Sequence, residues 1–346
     1  MTALPDVIAD DAALDDLLTT PTPAVVEALR ASPGDLLVLG AGGKMGPTLT
    51  LLAARAMQEG GLASRVIAVS RFSEEGLRER LERSGVETIS CDLLEDGALD
   101  RLPDAPNVVF MAGRKFGSTG AESLTWAMNT YLPMVTIKRY RHSRLVVFST
   151  GNVYPLVPVT SGGATEEQPP APVGEYAQSC LGRERMIQHG SERYGTPVVI
   201  VRLNYAIDLR YGILLDVAQH VLNDDVIDVT MGNANVIWQG DANAHALRAL
   251  AYASSPPLLL NVTGPETVSV RALACRFADL LGKPAPTFAG VEASTALLNN
   301  AGRAHCLFGY PMVSLERMLR WVAHWVQIGG PILDKPTHFE QRDGRF

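Results

Sequence analysis

Three glycines spaced three apart, Gly40, Gly43 and Gly46, occupy the stretch Leu36-Leu37-Val38-Leu39-Gly40-Ala41-Gly42-Gly43-Lys44-Met45-Gly46, directly after a short apolar run. Glycines so placed have a chemical use. One makes a tight turn, the next lets the backbone approach a pyrophosphate, and the third lets a helix pack closely beneath it. The first amides of that helix then aim donors and a partial positive charge at the phosphates. The spacing predicts a dinucleotide site on Gly40, Gly42, Gly43, Lys44, Met45 and Gly46, an ordinary tight turn being the plain alternative. The next apolar run ends Val69-Ser70-Arg71-Phe72-Ser73, with no Asp or Glu to accept from an adenosine ribose 2′-hydroxyl. Arg71 instead carries a fork of donors suited to a 2′-phosphate, and Ser70 stands beside it. Lys44 adds charge nearby. The cofactor reading is NADP, with NAD as the alternative and a solvated loop cation as the other use of Arg71. In Cys91-Asp92-Leu93, Asp92 is placed near an adenine edge.

Positioning such a loop takes a strand before it and a helix after it, and the pattern supplies both. Apolar runs at residues 36–39 and 66–69 and further candidates at 87–90, 108–111, 145–149 and 198–203 read as strands, and helical stretches at 48–56, 74–84, 123–140 and 176–194 lie between them. Strands alternating with helices of this length predict an α/β fold: a doubly wound, Rossmann-like parallel sheet covered on both faces. Beyond residue 205 the pattern loosens, with helices expected near 241–253, 269–281 and 314–328. The expected organisation is a helical preamble at 1–33 and a dinucleotide-binding body at 34–205. A smaller α/β substrate lobe at 206–330, partly interleaved with the body, and a C-terminal arm at 331–346 follow.

Composition removes other classes. The 346 residues are 47% apolar and 19% charged, with 31 Gly and 22 Pro, which is globular rather than disordered, collagenous or coiled-coil. Thirty basic against 37 acidic side chains give a net charge of −7, which opposes a nucleic-acid partner. Cys91, Cys180, Cys275 and Cys306 lie far apart and read as reduced thiols. The acidic start lacks a secretory pattern, and no apolar run approaches the roughly 20 residues of a membrane span. A cytoplasmic protein without membrane partners is expected. No HExxH, GxSxG elbow or Walker loop occurs, and the seven histidines are scattered, so no metal site is expected.

Further along, Met111-Ala112-Gly113, Asn129, Phe148-Ser149-Thr150-Gly151-Asn152-Val153-Tyr154, Glu175-Tyr176-Ala177-Gln178-Ser179, Val201-Arg202-Leu203-Asn204-Tyr205, Trp238-Gln239-Gly240-Asp241-Ala242 and Gly309-Tyr310-Pro311 follow in order. Together with the glycine loop, they resemble the extended short-chain dehydrogenase/reductases of the NAD-dependent epimerase/dehydratase family, over roughly residues 35–328. The resemblance implies Tyr176 as general acid/base at the oxygen of the carbon that exchanges hydride, and Thr150 as the hydroxyl bonding that oxygen. It implies Asn129 as a support for the active-site backbone or a proton relay. Met111, Ala112 and Gly113 would border the cofactor with Leu93. Arg114, Lys115, Asn152, Tyr154, Asn204 and Trp238 would face the substrate. Homodimers built on the helices at 123–140 and 176–194 are common in the family.

One departure matters. The family places Lys four residues after the tyrosine, on the same helical face, and here that position is Cys180. A phenol near its usual value of about 10 is a weak base at neutral pH but still a proton donor, so oxidation should suffer more than carbonyl reduction. Arg183, Arg114 and Lys115 are the candidate substitute cations. The arginine that nucleotide-sugar enzymes of this kind carry before the Trp238 segment is absent from Gly232-Asn233-Ala234-Asn235-Val236-Ile237, which points away from a nucleotide sugar and to a smaller polyol, sugar acid or keto acid. The expected function is an NAD(P)-dependent oxidoreductase or epimerase-like enzyme acting on a small hydroxy or keto compound. The alternatives are an NADP-binding sensor or scaffold with impaired catalysis, and non-redox lyase or isomerase chemistry.

Overall fold

Short runs rich in Val, Ile and Leu become strands where both faces can be covered. The computed structural model describes residues 4–115, 120–333 and 337–344. In it β1 (Leu36–Leu39), β2 (Val66–Ser70), β3 (Glu87–Ser90), β4 (Asn107–Phe110), β5 (Arg144–Thr150), β6 (Val198–Leu203) and β7 (Leu258–Val262) form one sheet in the order 7-6-5-4-1-2-3. Every pairing in that sheet is parallel. The winding reverses between β1 and β4, and open sheets of this kind hold ligands outside the carboxyl ends of the strands at such a reversal. The glycine loop leaves β1 at that place.

Helices cover both faces. On one side lie α2 (Pro23–Ala31), α3 (Gly46–Glu59), α4 (Leu77–Arg83), α9 (Gln239–Ala249) and α11 (Gly302–Phe308), around a core that includes Leu29, Val38, Leu52, Ala246 and Leu260. On the other lie α5 (Glu122–Trp126), α6 (Leu132–Arg139) and α7 (Gly174–Tyr194), over Leu39, Phe110, Ile137, Val147 and Ile187. A separate core gathers α8 (Ile213–Leu222), α10 (Val270–Leu281) and α12 (Leu315–Gln327), and takes in Leu14 and Leu18 of α1 (Asp11–Thr19). Among the described residues no helix is long and apolar enough to cross a membrane.

The expected strand 108–111 lies one residue earlier, at Asn107–Phe110, where the buried Asn107 Nδ2 donates to Ser32 O at 3.0 Å. The expected single helix 123–140 is broken by a turn of π-helix at Ala127–Tyr131. Pro133 explains it: having no N–H, it cannot serve the Asn129 carbonyl one turn back, and Arg183 Nε donates to that carbonyl instead at 3.3 Å. The preamble holds α1 as well as α2. Asp10 caps α1 by accepting from Ala13 N at 2.8 Å, and the acids of α1 bind Arg55, Arg80 and Arg210. Of the arm expected at 331–346, residues 334–336, Lys335 and Pro336 among them, and 345–346 lie outside the described residues.

Candidate active site

The turn after β1 is held by backbone alone. Gly40 N and Ala41 N donate to Val69 O at 2.9 and 3.1 Å, and Gly43 N donates to Gly40 O at 3.1 Å. Gly40 has φ +90°, and a Cβ there would lie 2.6 Å from Ala112 N, so only glycine lets β1 and the end of β4 approach this closely. Gly43 is exposed, and a Cβ on it would meet only Gly40 O at 3.4 Å, leaving that face of the loop open. Such a cradle, followed by the start of α3, fits a diphosphate.

Beside it lies a cavity of about 280 Å³. Its wall brings together Gly40, Gly43, Lys44, Met45 and Gly46 with Met111 and Lys115 after β4, Ser149 and Thr150 at the end of β5, and Tyr176 on the first turn of α7. Thr150 shares a hydrogen bond with the Tyr176 phenol and accepts from Asn152 N at 3.2 Å. Burial, and then Cys180, push the phenol well above its usual range, while Arg183 and Thr150 oppose them. Burial likewise raises the Cys180 thiol. The residue one turn beyond Tyr176 therefore makes the phenol a weaker acid.

Two ammonium groups share this cavity. Lys44 Nζ donates to Ala206 O at 2.9 Å and lies 4.5 Å from the centre of the Tyr211 ring. Burial pulls its pKa down to about 8, against the pull of Asp208 and with the push of Arg210 and Lys115. Burial brings Lys115 to about 8 as well, against the pull of Cys180 and Asp216. A pair of cations in one cleft is tuned to an anionic ligand, and the sign of the pH effect follows. Below pH 8 the Lys44 side chain is a charged ammonium; above it the charge is lost. NADPH affinity is expected to weaken about tenfold between pH 7 and pH 9, and Lys44→Gln to weaken it about tenfold at pH 7 while shrinking that pH dependence, by fluorescence titration. A pH-independent affinity would show that Lys44 does not face the phosphates.

Asn129 sits in the π-turn and is fully buried. Its Oδ1 accepts from Arg114 N at 2.9 Å and from Arg183 Nη2 at 2.9 Å, and its Nδ2 donates to Arg114 O at 2.9 Å and Ser179 Oγ at 3.0 Å. Arg183 Nη1 also donates to Phe148 O at 2.5 Å. Both side chains fix the backbone that carries Lys115 and Thr150, and neither lines the cavity. Below the site, buried Glu184 accepts from Ser149 Oγ at 2.6 Å and from Arg202 Nη2 at 2.7 Å, and Arg202 Nη1 donates to Tyr154 Oη at 2.7 Å.

The remaining expected residues are spread more widely. Ser70 Oγ accepts from Phe72 N at 3.4 Å and stands against Gly42. Arg71 is 73% exposed, 3.9 Å from Asp92, on a recess of about 210 Å³ that also holds Cys91 and Arg101. Leu93 and Ala112 are buried and Gly113 is exposed. Asn152 and Tyr154 border a smaller second cavity. Asn204 is buried, with its Nδ2 3.4 Å from Leu297 O, and Trp238 packs edge-on against Trp321 with ring centres 5.2 Å apart; neither lines a cavity near Tyr176. Tyr205, Tyr211 and Thr337 line the main cavity without having been singled out by sequence. They come from the last residue of the body, the lobe and the arm, where no local pattern marks them as cavity residues. A larger recess of about 800 Å³ opens beside Pro106 and Ser143, which precede β4 and β5, at the opposite end of the sheet from Tyr176.

Residues 36–207 match the model of the NAD dependent epimerase/dehydratase family. The sequence matches no curated protein. Among solved structures, the fold is similar to UDP-glucuronic acid 4-epimerase from Bacillus cereus in complex with UDP-glucuronic acid and NAD (20% identity, 85% of this chain and 99% of that chain, TM-score 0.70). It is also similar to UDP-glucose 4-epimerase from Thermotoga maritima with UDP-glucose (17%, 85% and 99%, 0.70) and to Pal from Bacillus thuringiensis (17%, 85% and 99%, 0.68).

Proposed function

Because the chain belongs, through residues 36–207, to the NAD dependent epimerase/dehydratase family, we propose that it is a nicotinamide-dependent oxidoreductase or epimerase-like enzyme acting on a small sugar-like hydroxy or keto compound. The observation that carries this reading is one cavity shared by the glycine loop, the hydrogen-bonded Thr150–Tyr176 pair and Lys115. The nicotinamide cofactor, when bound, supplies or receives the hydride.

The chain's own residues do the rest. Gly40, Gly43 and the start of α3 receive the diphosphate, with Lys44 as its counter-charge. Thr150 holds the substrate oxygen, and Tyr176 gives that oxygen a proton or takes one from it. Lys115, entering from the β4 side, brings the positive charge that Cys180 does not carry, and so lowers the cost of charge on the phenol oxygen. Asn129 and Arg183 keep that backbone in place. Arg71 and Ser70 support NADP over NAD; the Bacillus cereus relative is named with NAD, which keeps NAD as the alternative. The division of labour is a 34–205 dinucleotide body and a 206–330 substrate lobe. A homodimer through the α5–α6 and α7 helices belongs to the same reading, with Leu124, Trp126 and Tyr131 exposed there.

Titrating the protein with NADPH and NADH tests this. NADPH is expected to bind about tenfold tighter, the value of roughly one charge-assisted contact, and Arg71→Ala to remove the difference. Tighter NADH binding would overturn the NADP assignment, and binding of neither would overturn the function. The second reading, an NADP sensor, is favoured by the raised Tyr176 phenol beside Cys180. It predicts binding without hydride exchange to any hydroxy or keto compound.

A further inference from the structure

The arm beyond the lobe returns to the reacting groups. Thr337 lines the main cavity, and its N and Oγ1 donate to Asp216 Oδ2 at 3.0 and 2.5 Å. Phe339 is buried in the lobe core. Further on, Gly344 packs against Val173 and Gly174, two residues before Tyr176. A Cβ on Gly174 would lie 2.4 Å from Gly344 O, and one on Gly344 would lie 2.2 Å from Val173 O. The segment is therefore pinned on the lobe at one end and on the start of α7 at the other.

Between these anchors stands Arg342. It borders a second cavity, of about 40 Å³, with Asn152, Tyr205, Val173, Met231 and Leu297. Tyr205 also lines the main cavity, so the two spaces adjoin through one side chain. Arg342 Nη1 donates to Thr295 O at 2.8 Å and lies 3.4 Å from Met231 Sδ; Nη2 donates to Thr295 Oγ1 at 2.7 Å. All three are neutral, and among the described residues no carboxylate pairs with Arg342. Arg342 is half-buried beside this space and its fork donates only to neutral acceptors, so an anion offered to it would be bound in a geometry that fork already fits.

We infer that residues 337–344 form the outer wall of the substrate site and that Arg342 is its anion-binding group, selecting a small sugar-like substrate with a carboxylate or phosphate remote from the reacting carbon. This rests on Tyr176 and Thr150 being the reacting pair. The space now present holds about one water, so the segment moves outward as substrate enters, and Arg342 passes from Thr295 to the anion.

The test compares binding of D-glucuronate, D-glucose 6-phosphate and D-glucose by calorimetry, with and without NADPH, to the wild type, Arg342→Gln and Arg342→Lys. At least one anion is expected to bind the wild type about tenfold more tightly than glucose, and which one distinguishes carboxylate from phosphate. Arg342→Gln should lose that preference without changing glucose or NADPH binding, and Arg342→Lys should keep part of it. No preference in the wild type, no binding of any of the three sugars, or a preference that survives Arg342→Gln overturns the assignment. Loss of NADPH binding in the wild type would instead strike the proposed function, while the anion preference is still read in the cofactor-free samples.

Discussion

Tyr176→Phe is expected to lower turnover by about 10³-fold while leaving NADPH affinity nearly unchanged, because one positioned proton donor contributes roughly 10²–10⁴-fold. The ring still fills its place beside Thr150, and only the proton is lost. The direction of catalysis matters as well. Burial and Cys180 keep the phenol protonated at neutral pH, so the proposed mechanism is expected to run better in giving a proton to a carbonyl oxygen than in taking one from an alcohol. Lys115 lines the same cavity and is charged below about pH 8, and on the proposed mechanism it eases the charge left on the phenol after donation. Reduction is therefore expected to fall as pH rises through 8. Lys115→Met should lose rate below pH 8 and flatten the profile, and adding Cys180→Lys to it should restore part of the rate from the helix side. Stopped-flow measurement across pH 6–10 decides it. A fully active Tyr176→Phe would move the proton source elsewhere.

Arg202→Met is expected to cost about 3–5 kcal/mol of stability, the range seen when one partner of a buried ion pair is removed. Glu184 has no exposed side-chain surface and Arg202 has 2%. Without the guanidinium, the Glu184 carboxylate keeps only Ser149 Oγ at 2.6 Å, and Tyr154 loses the donor that holds its oxygen while its own hydroxyl still donates to Asn261 at 2.9 Å. These contacts tie β5, α7, β6 and β7 together directly under the cavity. The double change Glu184→Leu with Arg202→Met should cost less than Arg202→Met alone, since no charge is then stranded. Thermal unfolding of the three variants checks the order, and an Arg202→Met protein that melts with the wild type would show that the pair contributes little.

The sheet was largely legible because most of its strands are mainly apolar: 36–39 and 198–203 coincide with β1 and β6, and the mixed stretch 87–90 coincides with the edge strand β3. The helix α1 was hidden by its aspartates 11, 15 and 16, whose partners Arg55, Arg80 and Arg210 lie far along the chain. The break at Ala127–Tyr131 depends on one proline and on an arginine from another helix, a tertiary matter. At the site, Gly40, Thr150 and Tyr176 could be named from local pattern. That Lys115 shares their cavity could not, because it requires knowing where the loop after β4 turns. Tyr205 could not either: its backbone sits at φ +37°, a conformation non-glycine residues seldom adopt and no sequence pattern announces.

The lobe core takes Ile8, Leu14 and Leu18 from one end of the chain and Trp321, Trp325 and Phe339 from the other. During synthesis the early partners must wait for the late ones. At about 5–20 residues per second, that wait is on the order of tens of seconds, during which three aliphatic side chains lack their final cover. The aspartates interleaved with them in α1 then have a second use: they keep the waiting segment charged and hydrated, and so protect the nascent chain from sticking to its neighbours before the lobe can close.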